Sequence, residues 1–348
     1  MLKFYISIAI TIMMLFSTIS MAQTTLMVTF LPSDIDVNPV TDQIILSSMS
    51  DGQVYEVGAD GQVTAILEES DLANVISMSV DSAQTRLYVV NLDFEEMLAN
   101  LPAGIAPPNA GEGSLGDMMN GGLPAMFGGQ LPEGVSPPPA MLAQLRIPSQ
   151  LVIFDLTSGQ RLLSVDLTAI PNVGGGLITD VTVGADGTAY ISDTLSGGIY
   201  SVDLNGNIQV LTVGELNAEG IGMLPLVYHP DGYLLIANAS NQSLHRFDLV
   251  TSTLSNVILD ADISAMTQVL LKDNNTAIIS SPAELYLISS NDGWINASVQ
   301  EAMMLDLPTL GIVSKDGNIH ALQSNSTSME EVQTNNAIEL SLQTVLSN

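Results

Sequence analysis

The chain of 348 residues contains no cysteine. A disulfide framework, a thiolate zinc centre, a cysteine nucleophile and a lipid-anchored N-terminal cysteine are thereby excluded. Cations are nearly as scarce, with 7 Lys and Arg against 37 Asp and Glu and a formal net charge of −30. Sequence-independent nucleic-acid binding depends on Lys and Arg at phosphates, so no nucleic-acid partner is expected. The three histidines, His229, His245 and His320, lack the His-x-x-x-His or Glu-x-x-His spacing of a zinc site. No Gly-x-Ser-x-Gly elbow for a serine hydrolase is present either. Gly174-Gly175-Gly176 precedes a strand pattern and does not open a helix, so it makes a poor phosphate cradle. The single tryptophan, Trp294, is a packing residue or a surface recognition aromatic.

Long apolar runs are missing except at the start. Lys3 precedes the apolar stretch from Tyr5 to Ile19, and Ser20-Met21-Ala22 places small side chains at the −3 and −1 positions. This pattern predicts an export signal at 1–22, cleaved after Ala22. The alternative is a membrane anchor, but about 15 apolar residues fall short of the ~20 that a span requires. The expected product is secreted or periplasmic and free of the membrane after cleavage. Its acid excess keeps it soluble and monomeric. With 46% hydrophobic residues, it has ample material for a large core.

From Ser33 onward the chain is a series of short β-type runs ended by turn pairs. Asp-Gly recurs at 51–52, 60–61, 186–187, 231–232, 292–293 and 316–317, with Asn-Gly at 205–206. Such pairs supply the positive-φ residues of tight hairpins, so the strands they separate should be antiparallel neighbours. One four-run unit extends from Asp34-Ile35-Asp36-Val37 to Gln62-Val63-Thr64-Ala65-Ile66-Leu67, and a second from Asp180-Val181-Thr182-Val183 to Ile208-Gln209-Val210-Leu211. Further units start near Leu226 and Val269, and degenerate ones near Ser77 and Leu310. Four strands in a period of roughly 40–45 residues predict a six-bladed β-propeller, all-β, in one domain over 23–348. The run Leu26 to Phe30 is expected to close the ring beside Ala337 to Val345.

A Pro-, Gly- and Met-rich excursion over 93–148 interrupts the second blade. Its flanks, Arg86 to Val90 and Gln150 to Phe154, are good hairpin partners without it. A short helix is expected near Phe94 to Ala99 or Pro139 to Gln144. The irregular spacing of Met97, Met118, Met119, Met126 and Met141 favours adaptable apolar packing over soft-metal binding.

The stretch from Val227-Tyr228-His229-Pro230-Asp231-Gly232 to Ala237-Asn238 resembles a blade of the SMP-30/gluconolactonase/LRE-like propellers, and Asp180 to Asp193 followed by Gly198-Ile199-Tyr200 is similar to another. The likeness covers most of the chain outside the excursion. It implies a divalent cation at the end of the central channel and, in some members, lactone hydrolysis. The family's ligands are a Glu in Pro-Glu-Gly, Asn in Asn-Asp and Asn-Gly pairs, and an Asp in Asp-Gly. Here Ser33-Asp34 replaces the first, Thr179-Asp180 the second, Leu224-Pro225 the third and Thr267 the last. Inner strands converge on the axis, which makes Asp34 and Asp180 candidate ligands for Ca²⁺ or another divalent cation, with Thr179 and Thr267 as neutral oxygens. In the competing reading these aspartates cap turns or face solvent. The ligand replacements favour a binding or scaffold module that takes a small molecule or protein at the channel mouth. The alternative is a divalent-metal-dependent hydrolase of lactones or related esters.

Overall fold

Short β-branched runs separated by Asp-Gly or Asn-Gly fold as consecutive antiparallel hairpins, because the turn's twist matches that of the strands. The seven pairs named above do so in the computed structural model, which describes residues 23–68, 71–81, 83, 85–99, 147–168, 170, 176–216, 223–324 and 337–346. The export signal at 1–22, the helix expected at Pro139 to Gln144 and Met118, Met119, Met126 and Met141 lie outside those residues. Among the described residues no helix is long and apolar enough to cross a membrane. At Gly52 the turn demands glycine twice over. Its φ is 63°, and a Cβ there would collide with the Leu72 carbonyl.

A strand β1 (Gln23–Val28) comes first. Blade 1 then holds β2 (Pro32–Asn38), β3 (Gln43–Ser48), β4 (Val54–Val57) and β5 (Val63–Ala65). Blade 2 has β6 (Asn74–Asp81), β7 (Arg86–Leu92), β8 (Ser149–Asp155) and β9 (Arg161–Asp166), with the helix α1 (Phe94–Ala99) after β7. Blade 3 holds β10 (Ile178–Val183), β11 (Ala189–Asp193), β12 (Gly198–Val202) and β13 (Ile208–Thr212). Blade 4 consists of β14 (Leu226–His229), β15 (Tyr233–Asn238), β16 (Ser243–Asp248) and β17 (Thr253–Leu259). Blade 5 has β18 (Gln268–Asp273), β19 (Thr276–Ser280), β20 (Glu284–Ser289) and β21 (Asn296–Met304). Blade 6 has β22 (Thr309–Lys315), β23 (Asn318–Ser324) and β24 (Ile338–Leu346). Its fourth strand is β1, paired antiparallel with β24 from Gln23↔Gln343 to Val28↔Ile338. The fold is a six-bladed propeller closed by its leading strand.

Each blade is covered on both faces, which explains the unbroken apolar runs. In β15, Leu234 and Ile236 pack against blade 3, whereas Tyr233, Leu235 and Ala237 pack against blade 5. In β7, Leu87 and Val89 face blade 1 while Tyr88, Val90 and Leu92 face blade 3. Burying one such side chain contributes about 1.5–3 kcal/mol.

The excursion leaves its hairpin intact, since β7 and β8 pair without interruption from Arg86↔Asp155 to Leu92↔Ser149. Asp93 caps α1 by accepting the Glu96 N–H at 2.7 Å, and Phe94 and Met97 are buried between blades 2 and 3. Met97 is therefore a core residue. So is Trp294, only 1% exposed between blades 4 and 5, which donates its Nε1–H to the Asn274 carbonyl at 3.0 Å. His229 serves its turn. Its Nδ1 accepts the Asp231 N–H, so Nε2 carries the proton and donates to the same Asn274 carbonyl at 2.8 Å.

The closing strand alternates cleanly, with Leu26 fully buried and Met27 59% exposed. Leu26→Ala should lower the unfolding free energy by about 2–5 kcal/mol, and Met27→Ala by less than about 0.5 kcal/mol. Urea unfolding of the two variants measures both.

Candidate functional site

The inner strand of every blade is a sheet edge whose outward N–H groups have no strand partner. Buried N–H groups of that kind need another acceptor. Here neighbouring blades supply it. Asp34 on β2 accepts the N–H of its own neighbour Ile35 at 2.8 Å and that of Met78 on β6 at 2.9 Å. Asp36 repeats the pattern one step down the strand, with Val37 at 2.7 Å and Val80 at 2.9 Å. Asp180 on β10 does the same with Val181 at 2.9 Å and Leu226 on β14 at 2.8 Å. Uncharged acceptors complete the set. Thr182 Oγ1 takes the Tyr228 N–H at 3.1 Å, and Gln268 Oε1 on β18 takes the Ile312 N–H on β22 at 2.7 Å.

The pattern alternates around the ring. Blades 1, 3 and 5 present the acceptors Asp34, Asp180 and Gln268, and the chain just before each receiving N–H carries Ser77, Pro225 or Gly311 in blades 2, 4 and 6. Register shifts between Pro32 and Ile35, Val75 and Ser77, and Ile178 and Asp180 place these side chains at bulges, which re-aim them. At Gly311 space is the constraint, since a Cβ would stand 2.7 Å from Ile35 Cγ2.

Ser77 joins the two predicted aspartates. Its Oγ lies 3.0 Å from Asp34 Oδ2 and 2.7 Å from Asp180 Oδ1. The two predicted threonines stay within their own blades. Thr179 Oγ1 is 2.8 Å from Thr194 Oγ1, and Thr267 Oγ1 is 3.0 Å from Ser280 Oγ. Asp36, Ser77 and Gln268 escaped the sequence reading. The signal available was the repeat length itself, because Asp34 to Met78 and Asp36 to Val80 are both separated by 44 residues.

Burial deep in the protein raises the Asp34 carboxyl to about 6, against the lowering effect of its N–H donors. Burial likewise raises Asp36 to about 7 and Asp180 to about 7, with the Asp34 charge adding to both. Among the described residues, no group of three or more His, Asp or Glu is placed to hold a metal ion.

The sequence matches no family profile and no curated protein. Solved structures do resemble the fold. The Malassezia sympodialis allergen Mala s 1 aligns at TM-score 0.68 and 12% identity over 94% of this chain and 97% of that one. Virginiamycin B lyase from Staphylococcus aureus aligns at 0.51 and 10% identity, covering 93% of this chain and 100% of that one. U3-55K aligns at 0.52 and 7% identity, covering 93% and 98%. At such identities the likeness concerns the propeller architecture alone.

Gln268→Ala strands the Ile312 N–H and should cost about 1–3 kcal/mol in urea unfolding. Gly311→Ala should cost a similar ~1–3 kcal/mol through overpacking against Ile35. Asp36 also sets a pH dependence. Its carboxyl is higher in the folded than in the unfolded state, so the folded protein binds more protons between about pH 4 and 7. That contribution to stability is present at pH 4 and lost as pH rises through 7. Asp36→Asn should therefore flatten the plot of melting temperature against pH over this interval, as differential scanning calorimetry can measure.

Proposed function

We propose that the chain is an exported, monomeric propeller acting as a binding or scaffold module, a divergent relative of the SMP-30/gluconolactonase group. In this reading Asp34 and Asp180 clasp strands together and do not ligate a cation. One observation carries it: the carboxylate oxygens at the hub already accept N–H groups from two adjacent inner strands. A hard cation such as Ca²⁺ seeks about six to eight oxygens, whereas the surroundings here present hydrogen-bond donors. Thr179 and Thr267, the neutral oxygens such a site would recruit, are engaged elsewhere.

The partner is a small molecule or a protein at the channel mouth. The excursion departs from that end of blade 2, where Leu92 pairs with Asn74 at the start of the inner strand and the Asp93 N–H donates to the Pro148 carbonyl at 2.8 Å. The preponderance of acidic groups suits a cationic ligand.

A ligand that binds only the folded state raises the melting temperature. Melts in EDTA and in millimolar Ca²⁺ should therefore coincide. A fall of several degrees on metal removal, together with turnover of lactones or related esters, would replace this reading with that of a metal-dependent hydrolase.

A further inference from the structure

We infer that Asp34 and Asp180 share one proton across Ser77, in addition to the hydroxyl's own, forming a pH-sensitive latch that joins the inner strands of blades 1, 2 and 3. The inference rests on the reading of these carboxylates as strand clasps. It follows from counting hydrogens. Ser77 Oγ stands between Asp34 Oδ2 at 3.0 Å and Asp180 Oδ1 at 2.7 Å. A hydroxyl carries one proton and can make a near-linear hydrogen bond to only one of them. Were both carboxylates ionised, the remaining contact would be oxygen against oxygen with no hydrogen between. The other partners, the N–H groups of Ile35, Met78, Val181 and Leu226, supply no proton to that gap. One protonated carboxyl resolves the conflict by donating to Ser77 Oγ, while the Ser77 hydroxyl donates to the other carboxylate.

The ionisable groups on the surrounding elements do not remove the need. Asp36 lies on the same strand as Asp34 and adds negative charge. Asp193, at the end of β11, has its Oδ1 occupied by the N–H groups of Leu177, Leu195 and Ser196. Asp81 on β6, Arg86 on β7, His229 on β14, Lys272 and Asp273 on β18, and Lys315 on β22 stand at or next to the opposite ends of their strands. Neither β2 nor β10 carries a cation. Burial raises both carboxyls, Asp34 to about 6 and Asp180 to about 7, so the proton is released as pH rises through neutrality. Its loss sets charge against charge at Ser77 and leaves that hydroxyl bonded to only one of the two aspartates, which unfastens β2 from β10.

The test is carbon-13 NMR of the aspartate carboxyl carbons from pH 4 to 8.5 in EDTA, with signals assigned through Asp34→Asn and Asp180→Asn. One of the two carboxyls should remain protonated more than about one pH unit above the exposed aspartates, and Ser77→Ala should shift its midpoint. Ionisation of both together with the exposed aspartates overturns the shared proton. Should an assigning variant fail to fold, amide exchange in the unsubstituted protein serves instead. Met78 and Leu226 donate to these carboxyls and gain stronger acceptors on ionisation, so their exchange should rise less steeply with pH than that of the β16 amides, and equal slopes overturn the latch. Added Ca²⁺ distinguishes a missing proton from a missing clasp. A response of the Asp34 or Asp180 carbon to Ca²⁺ overturns the clasp reading itself, whereas early ionisation without such a response overturns the proton alone.

Discussion

A propeller brings six sheet edges to one axis, and every such edge carries N–H groups that its own sheet cannot satisfy. The structure depends on how those groups are paired. Side chains of the preceding blade accept them. Aspartate suits the task because its two oxygens can hold a neighbour's N–H and an adjacent one at once. The cost is burial of several acids at a single hub. Their raised protonation points follow directly from that burial.

The six junctions are consequently not equivalent. Blades 1 and 2, 3 and 4, and 5 and 6 are clasped at the hub by side-chain acceptors, and Ser77 extends the chain of contacts from blade 2 to blade 3. Blades 4 and 5 meet at their outer edges, where β17 and β21 pair in parallel through Ile258↔Asn296 and Leu259↔Ala297. Asp260 reinforces that joint by accepting the Val299 N–H at 2.9 Å, and the Asn274 carbonyl receives both His229 and Trp294. Blades 6 and 1 close through the exchanged strand β1, the tight approach at Gly311, and a surface pair of Lys315 with Asp42 at 2.6 Å. The last contributes little, as exposed ion pairs do.

The acid excess has a second, local origin. Asp155, Asp203, Asp248 and Asp292 each sit at a hairpin turn and accept backbone N–H groups two to four residues ahead. Hydrogen bonds to Asn296 and to the turn amides hold Asp292 at about 2. Much of the negative charge is thus turn chemistry repeated blade after blade. The same residue type acts as an anion at the turns and as a shared-proton acid at the axis, and depth alone separates the two.

Most of the fold was legible in the sequence because its signals are local. A turn pair, a two-residue alternation and a repeat length are properties of neighbouring residues, and they sufficed for the hairpins, the six blades, the closing strand beside Ala337 to Val345 and the helix at Phe94. Asp34 and Asp180 could be singled out as residues that converge on the axis, since the repeat dictates where inner strands begin. What the aspartates do there was not legible. Whether a carboxylate meets a cation, water or an amide depends on the partner one blade away, and that partner is chosen by bulges, by the Gly311 contact and by strand tilt. Thr179 and Thr267 illustrate the limit. Placed correctly at inner-strand entrances, they turned to hydroxyl partners within their own sheets. Chain order determined the ring, and only packing decided which oxygen faces which hydrogen, because those distances are set by elements far apart in sequence.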